Sequence, residues 1–397
     1  MSDATDSVNC MRVLHTSDWH VGRTFHGHST LDALAGVLEA LIEIVRVREV
    51  DVVAVAGDVF DSATPSADAF GVLGKALRGI RSAGAELVIT SGNHDSPARL
   101  GFQSEFAAFG GVHIITQAAA HATPVTLVGR DGVEVDFYGI PFLEPALIRH
   151  LWPGETLRTQ ADALGFAMRN VKAAAAASDH RSVVLAHCFA AGGAGEASDA
   201  ERDLSAGGLD VVPLSAFAGV DYAALGHIHG RAVLADAVRY SGAPLHYSFS
   251  EAGKPRGAWL VELAAMGPAS VEWVDLPVPR ALTVLTGTLD ELLADAALEP
   301  HEEEWVSAIL TDDTRPIDAM RKLQRRFPHC VNLVHRPANL AEDGAAGYRQ
   351  RVGTGVPDGR LIGSFLSFVR NGEGPSAAEA ELIDELVAER ARAAAVR

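Results

Sequence analysis

Val52-Val53-Ala54-Val55-Ala56-Gly57-Asp58-Val59-Phe60-Asp61 is the stretch that decides the fold. Its five small or branched apolar residues read as a strand buried on both faces. The run stops at a glycine and then delivers two carboxylates. In α/β sheets, sites form just beyond the carboxyl ends of strands. The same arrangement recurs along the chain. Arg12–His15 runs into Asp18-Trp19-His20, Leu87–Thr90 into Gly92-Asn93-His94-Asp95, Val183–Ala186 into His187, and Tyr222–Leu225 into Gly226-His227-Ile228-His229. Every such end carries Asp, Asn or His. Gly57, Gly92 and Gly226 sit just ahead of these groups, where a tight turn or close backbone approach helps.

Leu31–Val47 and Ala67–Arg81 place apolar residues three and four apart, as amphipathic helices do. Strand, helix, strand order gives an α/β fold. Val125–Val128, Val133–Gly139, Arg239–Tyr240 and Trp259–Leu263 read as further strands separated by turn signals, so part of the sheet system is antiparallel. Gly192–Gly208 has no periodicity and reads as a long loop. Pro277 and Pro279 punctuate the end of this region. A smaller unit follows from Leu282 to Arg336. It offers a strand, a helix near Leu289–Ala297, a strand at Trp305–Leu310, a helix at Ile317–Phe327 and a strand at Cys330–Val334. Ala338–Gly359 reads as a linker before two short helices. The expected domains are 11–276, 280–337 and 338–397.

Composition bounds the reading. No window holds the roughly 18-residue apolar run of a membrane helix. Met1 to Asn9 lacks the basic and apolar segments of a signal peptide. The first ten residues read as an extension, with Met11 an alternative start. Cys10, Cys188 and Cys330 are odd in number and widely spaced, which makes neither a disulfide framework nor a thiolate zinc site. A reducing cytoplasm is the simpler inference. The net charge of −18 argues against a free-standing nucleic-acid binder. It permits an enzyme that meets phosphates through bound metal, or a subunit whose partner supplies basic surface.

The donor types say what binds. Carboxylate, amide oxygen and imidazole without thiolate suit manganese or iron, and zinc less specifically. Asp18, His20, Asp58, Asn93, His187, His227 and His229 exceed the needs of one small ion. If one carboxylate bridges, each of two metals receives four of them. Two metals roughly 3.5–4 Å apart can hold the attacking and leaving oxygens of a displacement at phosphorus. A lone His at a strand end is an ordinary satisfied polar residue. The specific signal is the ordered set of motifs.

That order resembles the calcineurin-like metallophosphoesterases. Leu14–Gly22, Ala56–Asp61, Ser91–Ser96 and Ala224–His229 are more closely similar to the SbcD-type nuclease subunits, as are Glu201-Arg202 and Tyr240–Leu245. The similarity is strong over 11–275 and looser beyond. It implies a four-layer sandwich, two mixed sheets flanked by helices, with a small α+β capping domain and C-terminal helices. It implies that Asp18, His20, Asp58 and His229 hold one Mn²⁺ and that Asp58, Asn93, His187 and His227 hold the other, with Asp58 bridging. His94 matches the family's catalytic, non-ligand histidine, which can serve the leaving oxygen near neutral pH. In related phosphatases the second Asp of Gly-Asp-x-x-Asp pairs with that histidine, so Asp61 is the candidate orienting residue. Asp95 reads as a turn residue, Trp19 as packing, Cys188 as space-filling, and His15 as a core residue or a neighbour of the site.

Beyond the catalytic region, Ile317, Met320, Leu323 and Phe327 share one helix face, with Arg321, Lys322, Arg325 and Arg326 around the rest. From the sequence alone those cations read as a solvated face; the family implies that the small domain contacts DNA, which raises phosphate contact to an equal reading. Leu361, Ile362, Phe365, Leu366 and Phe368 make an apolar helix ended by Gly372 and Gly374. Ser376 and Glu379 form a capping box for the next, striped by Leu382, Ile383, Leu386 and Val387. Two short helices cannot bury these faces alone. The family implies docking on the coiled-coil base of an SbcC-type ABC ATPase; folding back is the alternative. Ala98–Phe109 reads as a helical segment that from sequence alone could equally be core; the family implies a homodimer built partly by it, with DNA as substrate. The activity implied is double-strand exonuclease plus single-strand and hairpin endonuclease, in repair and recombination. Two rivals remain: a small-molecule or cyclic-nucleotide phosphodiesterase, and a non-catalytic scaffold.

Overall fold

The computed structural model describes residues 10–190, 211–266, 269–337, 356–370 and 373–395. The Gly192–Gly208 loop, Glu201-Arg202 and most of the 338–359 linker lie outside them. The chain divides into two compact units at Pro279 and Arg280.

The first unit contains two mixed sheets of six strands. One has the order β14 (Ser270–Asp275), β13 (Gly257–Ala264), β1 (Cys10–Thr16), β4 (Val52–Ala56), β5 (Glu86–Thr90), β6 (Val112–Ile115). β1, β4, β5 and β6 are parallel; β13 and β14 add an antiparallel edge. The other has the order β11 (Ala232–Ala235), β12 (Val238–Tyr240), β10 (Tyr222–Gly226), β9 (Arg181–His187), β8 (Glu134–Ile140), β7 (Val125–Val128). A two-strand ribbon, β2 (Thr24–Phe25) and β3 (His28–Ser29), follows the first motif.

Strand periodicity builds the layers. Val13, Val52, Ala54, Val183, Leu185, Tyr222 and Ala224 face inward and form the core between the sheets. Their neighbours Leu14, Val53 and Val55 face the helices Leu31–Val47 and Ala67–Ser82. Val184, Ala186, Ala223 and Leu225 face the helix Gln160–Ala175. Successive side chains of a strand point to opposite faces, so wholly apolar strands must be covered on both. The result is the four-layer sandwich.

The second unit has a parallel three-stranded sheet, β15 (Leu282–Gly287), β16 (Trp305–Leu310) and β17 (Cys330–His335). Leu289, Leu292, Leu323 and Phe327 supply its core from the helices Leu289–Ala294 and Ala319–Arg326 and their ends. The second helix starts two residues later than expected. Asp318 adopts a left-handed conformation, which a right-handed helix cannot contain. Ile317 therefore leaves the apolar face and is 82% exposed. Arg326 leaves the solvated face too: it donates to Glu302 and to the carbonyls of Leu292 and Asp295.

Two further expectations shift. Ala98–Phe109 is not one helix but Pro97–Leu100 and Ser104–Phe109, separated at Gln103, which has a φ of 59°. The helix Asp358–Val369 claims the last two residues of the expected linker. The closing helix, Ala377–Ala395, opens on the expected capping box: Glu379 accepts from the Ser376 N–H at 2.8 Å, and Ser376 Oγ accepts from the Glu379 N–H at 3.3 Å.

Phe137, fully buried between the sheets, tests the layered core. Phe137→Ala is expected to cost about 3–5 kcal/mol. Urea denaturation should show this as a lower midpoint at unchanged slope.

Candidate metal centre

The carboxyl ends of β1, β4 and β5 in one sheet meet those of β9 and β10 in the other. Main-chain bonds knit the turns together. Asp18 N–H donates to the Gly57 carbonyl, His20 N–H to Asp58, and Val21 N–H to Val59, at 2.9–3.0 Å. The sheets are joined by His187, whose Nδ1 lies 2.9 Å from the Ala56 carbonyl. Gly226 is required by this approach: a Cβ there would meet the Ala56 carbonyl oxygen at 1.9 Å. Asp18, His20, Asp58 and His227 all have positive φ. Such conformations cost non-glycine residues energy and persist where the surroundings impose them, commonly at functional sites.

The expected ligands converge. His20 Nε2 and His229 Nε2 are 3.0 Å apart. Asp58 Oδ2 lies 3.6 Å from His20 Nε2 and 3.3 Å from His187 Nε2. Asn93 Oδ1 lies 3.0 Å from His187 Nε2 and 3.1 Å from His227 Nδ1. Asp18 joins both halves, with donor atoms of Asp18, His20 and His229 mutually within 4.8 Å, as are those of Asp18, Asp58 and His187. The His20 and His229 rings carry carboxylates behind them: Asp61 Oδ1 at 3.2 Å from His20 Nδ1, and Glu251 Oε1 at 3.2 Å from His229 Nδ1. With Nδ1–H donated backward, both Nε2 lone pairs point at each other. That arrangement needs a cation or a proton between them. Hard oxygen and imidazole donors fit a divalent first-row ion.

Electrostatics agree. Burial pushes Asp18 up to about 6. Burial also pushes Asp58 up, but His187 and His20 outweigh it and hold this carboxyl well below the usual range. Burial lowers His187, yet Asp58 and Asp18 more than offset it, to about 9. Burial takes His20 down to about 4 and His227 to about 3. His187 therefore keeps a proton at neutral pH, and Asp18 one below about pH 6, while Asp58, His20 and His227 are already deprotonated.

His94 lies at the same centre, its ring edge-on to His20 with centroids 4.8 Å apart. Its Nδ1 is 2.9 Å from the main-chain carbonyl of Asp61. Asp61 thus meets His94 through its main-chain carbonyl and not through its carboxylate. That carboxylate is spent on His20 Nδ1 and on Arg23, at 3.1 Å. Asp95 also exceeds its expected role as a turn residue. Its buried carboxylate accepts N–H bonds from Val59, Phe60 and Gly92 at 2.8–3.1 Å, locking two motifs together. His15 is a core residue between the sheets, hydrogen-bonded to Tyr222 and the Leu225 carbonyl. Trp19 is fully buried and donates to Thr16. Arg23, Tyr247, Glu251 and Arg256 join the centre without any ligand spacing to mark them in the sequence. Arg23 alone has a local signal, three residues after His20.

Two sheets delivering Asp, Asn and His to one cluster define a phosphoesterase of the calcineurin-like class. The calcineurin-like phosphoesterase family model matches residues 11–231, and that of the type 5 capsule protein repressor C-terminal domain matches 278–354. The D subunit of the nuclease SbcCD of Escherichia coli (strain K12) is 33% identical over 359 residues, 84% of this chain and 86% of the relative. The chain belongs to the calcineurin-like phosphoesterases, and within them to the SbcD-type nuclease subunits. Among solved structures, a dimetal phosphatase from Danio rerio aligns at 12% identity and TM-score 0.39, over 66% of this chain and 98% of that one. The protein TT1561 of Thermus thermophilus aligns at 15% identity and TM-score 0.37, over 67% and 99%.

If His187 and Asp18 hold a divalent ion they must lose protons to do so, and titrating Mn²⁺ into the chain should release protons near neutral pH. Apparent affinity should rise with pH and level off above about 9, where His187 is neutral. Calorimetric titration in buffers of different ionisation enthalpy measures both; affinity independent of pH would contradict the assignment.

Proposed function

We propose that this chain is the nuclease subunit of an SbcCD-type complex and hydrolyses DNA phosphodiesters with two Mn²⁺ ions. The carrying observation is the convergence of seven donors from both sheets on one centre that also holds His94. Asp18, His20, Asp58 and His229 would hold one ion, and Asp58, Asn93, His187 and His227 the other. Two ions held there would supply positive charge beside the phosphoryl oxygens and would lower the pKa of a bound water.

The rest of the step falls to the chain itself. His94 donates Nδ1–H to the Asp61 carbonyl, so its Nε2 serves the leaving oxygen when the ring carries a second proton: the imidazolium gives that proton to the oxygen as the P–O bond breaks and returns to the neutral Nδ1–H tautomer. Asp61 is then an orienting residue through its main chain for His94 and through its carboxylate for His20. A small-molecule phosphodiesterase would use the same centre but gives residues 278–354 no task.

The remaining assignments follow the family. Residues 11–276 form the nuclease domain, 280–337 a cap that contacts DNA, and 338–397 the attachment to a coiled-coil ABC ATPase. Ile362, Phe365, Phe368, Leu382 and Leu386 are exposed on the closing helices, which supports a docking role. The chain has no Gly-x-x-x-x-Gly-Lys-Ser/Thr motif, so the partner handles ATP. Exposed Phe102, Phe106 and Phe109 support a two-fold dimer. Arg321, Lys322 and Arg325 remain exposed for phosphate contact. No helix among the described residues is long and apolar enough to cross a membrane; cytoplasmic residence is part of the proposal.

Purified chain with Mn²⁺ should nick single-stranded DNA, and Asp58→Ala or His94→Ala should reduce this at least about 100-fold, within the range for a lost acid–base group. Cleavage of small phosphodiesters alone would refute the nuclease reading. Deleting residues 360–397 should abolish capture of the SbcC-type partner while sparing Mn²⁺-dependent nicking, as read by co-purification and a nicking assay. Retained capture would refute the tail assignment.

A further inference from the structure

A buried ion pair stands behind one side of the cluster, outside all the motifs. Glu251 is 1% exposed and Arg256 2%. Glu251 Oε1 faces His229 Nδ1 at 3.2 Å, while Oε2 accepts from the Tyr247 N–H and from Arg256 Nη2, both at 3.0 Å. Arg256 Nη1 donates to the His229 carbonyl and, at 3.3 Å, to that of Ala243. One pair therefore grips both the ring and the main chain of His229. Tyr247 extends the grip, since its hydroxyl donates at 2.6 Å to the carbonyl of Trp19, between Asp18 and His20.

Burying two charges costs desolvation that mutual attraction barely repays, so stability alone is a poor account of this pair. Position is a better one. On the Asp18, His20 and His229 side, both imidazoles are backed by carboxylates, Asp61 and Glu251. On the Asn93, His187 and His227 side, His187 Nδ1 is backed by a neutral group, the Ala56 carbonyl, while His227 turns its Nδ1 into the cluster, 3.1 Å from the proposed ligand oxygen Asn93 Oδ1. A carboxylate behind an imidazole fixes the tautomer that presents Nε2 and strengthens it as a donor.

We propose that Glu251, held by Arg256, is a positioning residue that makes the Asp18, His20 and His229 side the tighter of the two metal positions, filled first. The proposal rests on the two-metal reading above.

Titration of the full chain with Mn²⁺, followed by calorimetry and by the paramagnetic resonance of free Mn²⁺, tests it. The wild type should show two classes of site. Glu251→Gln should weaken the tighter class about 10–100-fold, the usual loss for an outer-shell partner, and leave the weaker one within about 2-fold. An unchanged tight class, or equal weakening of both, would overturn the proposal. Because Glu251→Gln strands the Arg256 charge, Glu251→Gln/Arg256→Met is measured beside it, with metal-free melting. The double variant should recover melting temperature yet keep the weakened tight class. Recovery of both would reduce the pair to a folding role and overturn the proposal. A wild type that binds fewer than two ions would overturn the two-metal reading as well.

Discussion

Asp58 is a carboxylate taken out of water and kept ionised. Its Oδ2 sits among the imidazoles of His20 and His187, and its Oδ1 accepts the His94 N–H at 2.9 Å. A buried charge is tolerated only when paired and hydrogen-bonded. Meeting that demand takes groups from both sheets: His20 after β1, His94 after β5 and His187 at the end of β9. The turns must come close enough that Gly92 has no room for a side chain, since a Cβ there would lie 2.1 Å from Asp58 Oδ1. The left-handed conformations of Asp18, His20 and Asp58 follow from the same crowding. In energetic terms the inter-sheet core holds the fold, and this cluster draws on that stability.

The centre was legible in the sequence because each proposed ligand lies within a few residues of its strand end. Local order carries such a signal, and the wholly apolar strands announce burial on both faces. Contacts made by folding back carry no such signal. Glu251 reaches His229 across 22 residues through a turn that no spacing rule marks. Asp61 shows a subtler loss. Its position after β4 was readable, but whether carbonyl or carboxylate meets His94 depends on Arg23 and His20 competing for the carboxylate. Helix boundaries were lost for a different reason. Gln103 and Asp318 are single left-handed residues, which periodicity cannot foresee. Asp318 fits that role locally, whereas Gln103 does not.

Charge distribution ties the units to one task. A chain of net charge −18 meets a polyanion poorly over its general surface. Under the proposed function, attraction is concentrated at the metal centre, and the basic surface DNA requires is shared with a partner. The exposed apolar side chains of the closing helices fit the same division, since a catalytic unit with its own basic surface would have less need of a docking tail.

A crystal structure of the full chain with Mn²⁺, phased on the manganese anomalous signal, tests the central claim most directly. The account predicts two peaks roughly 3.5–4 Å apart, one on each side of the Asp58 carboxylate. Asp18, His20 and His229 should touch one ion, Asn93, His187 and His227 the other, with His94 and Asp61 touching neither. A single peak, or an ion ligated by His94 or Asp61, would contradict it.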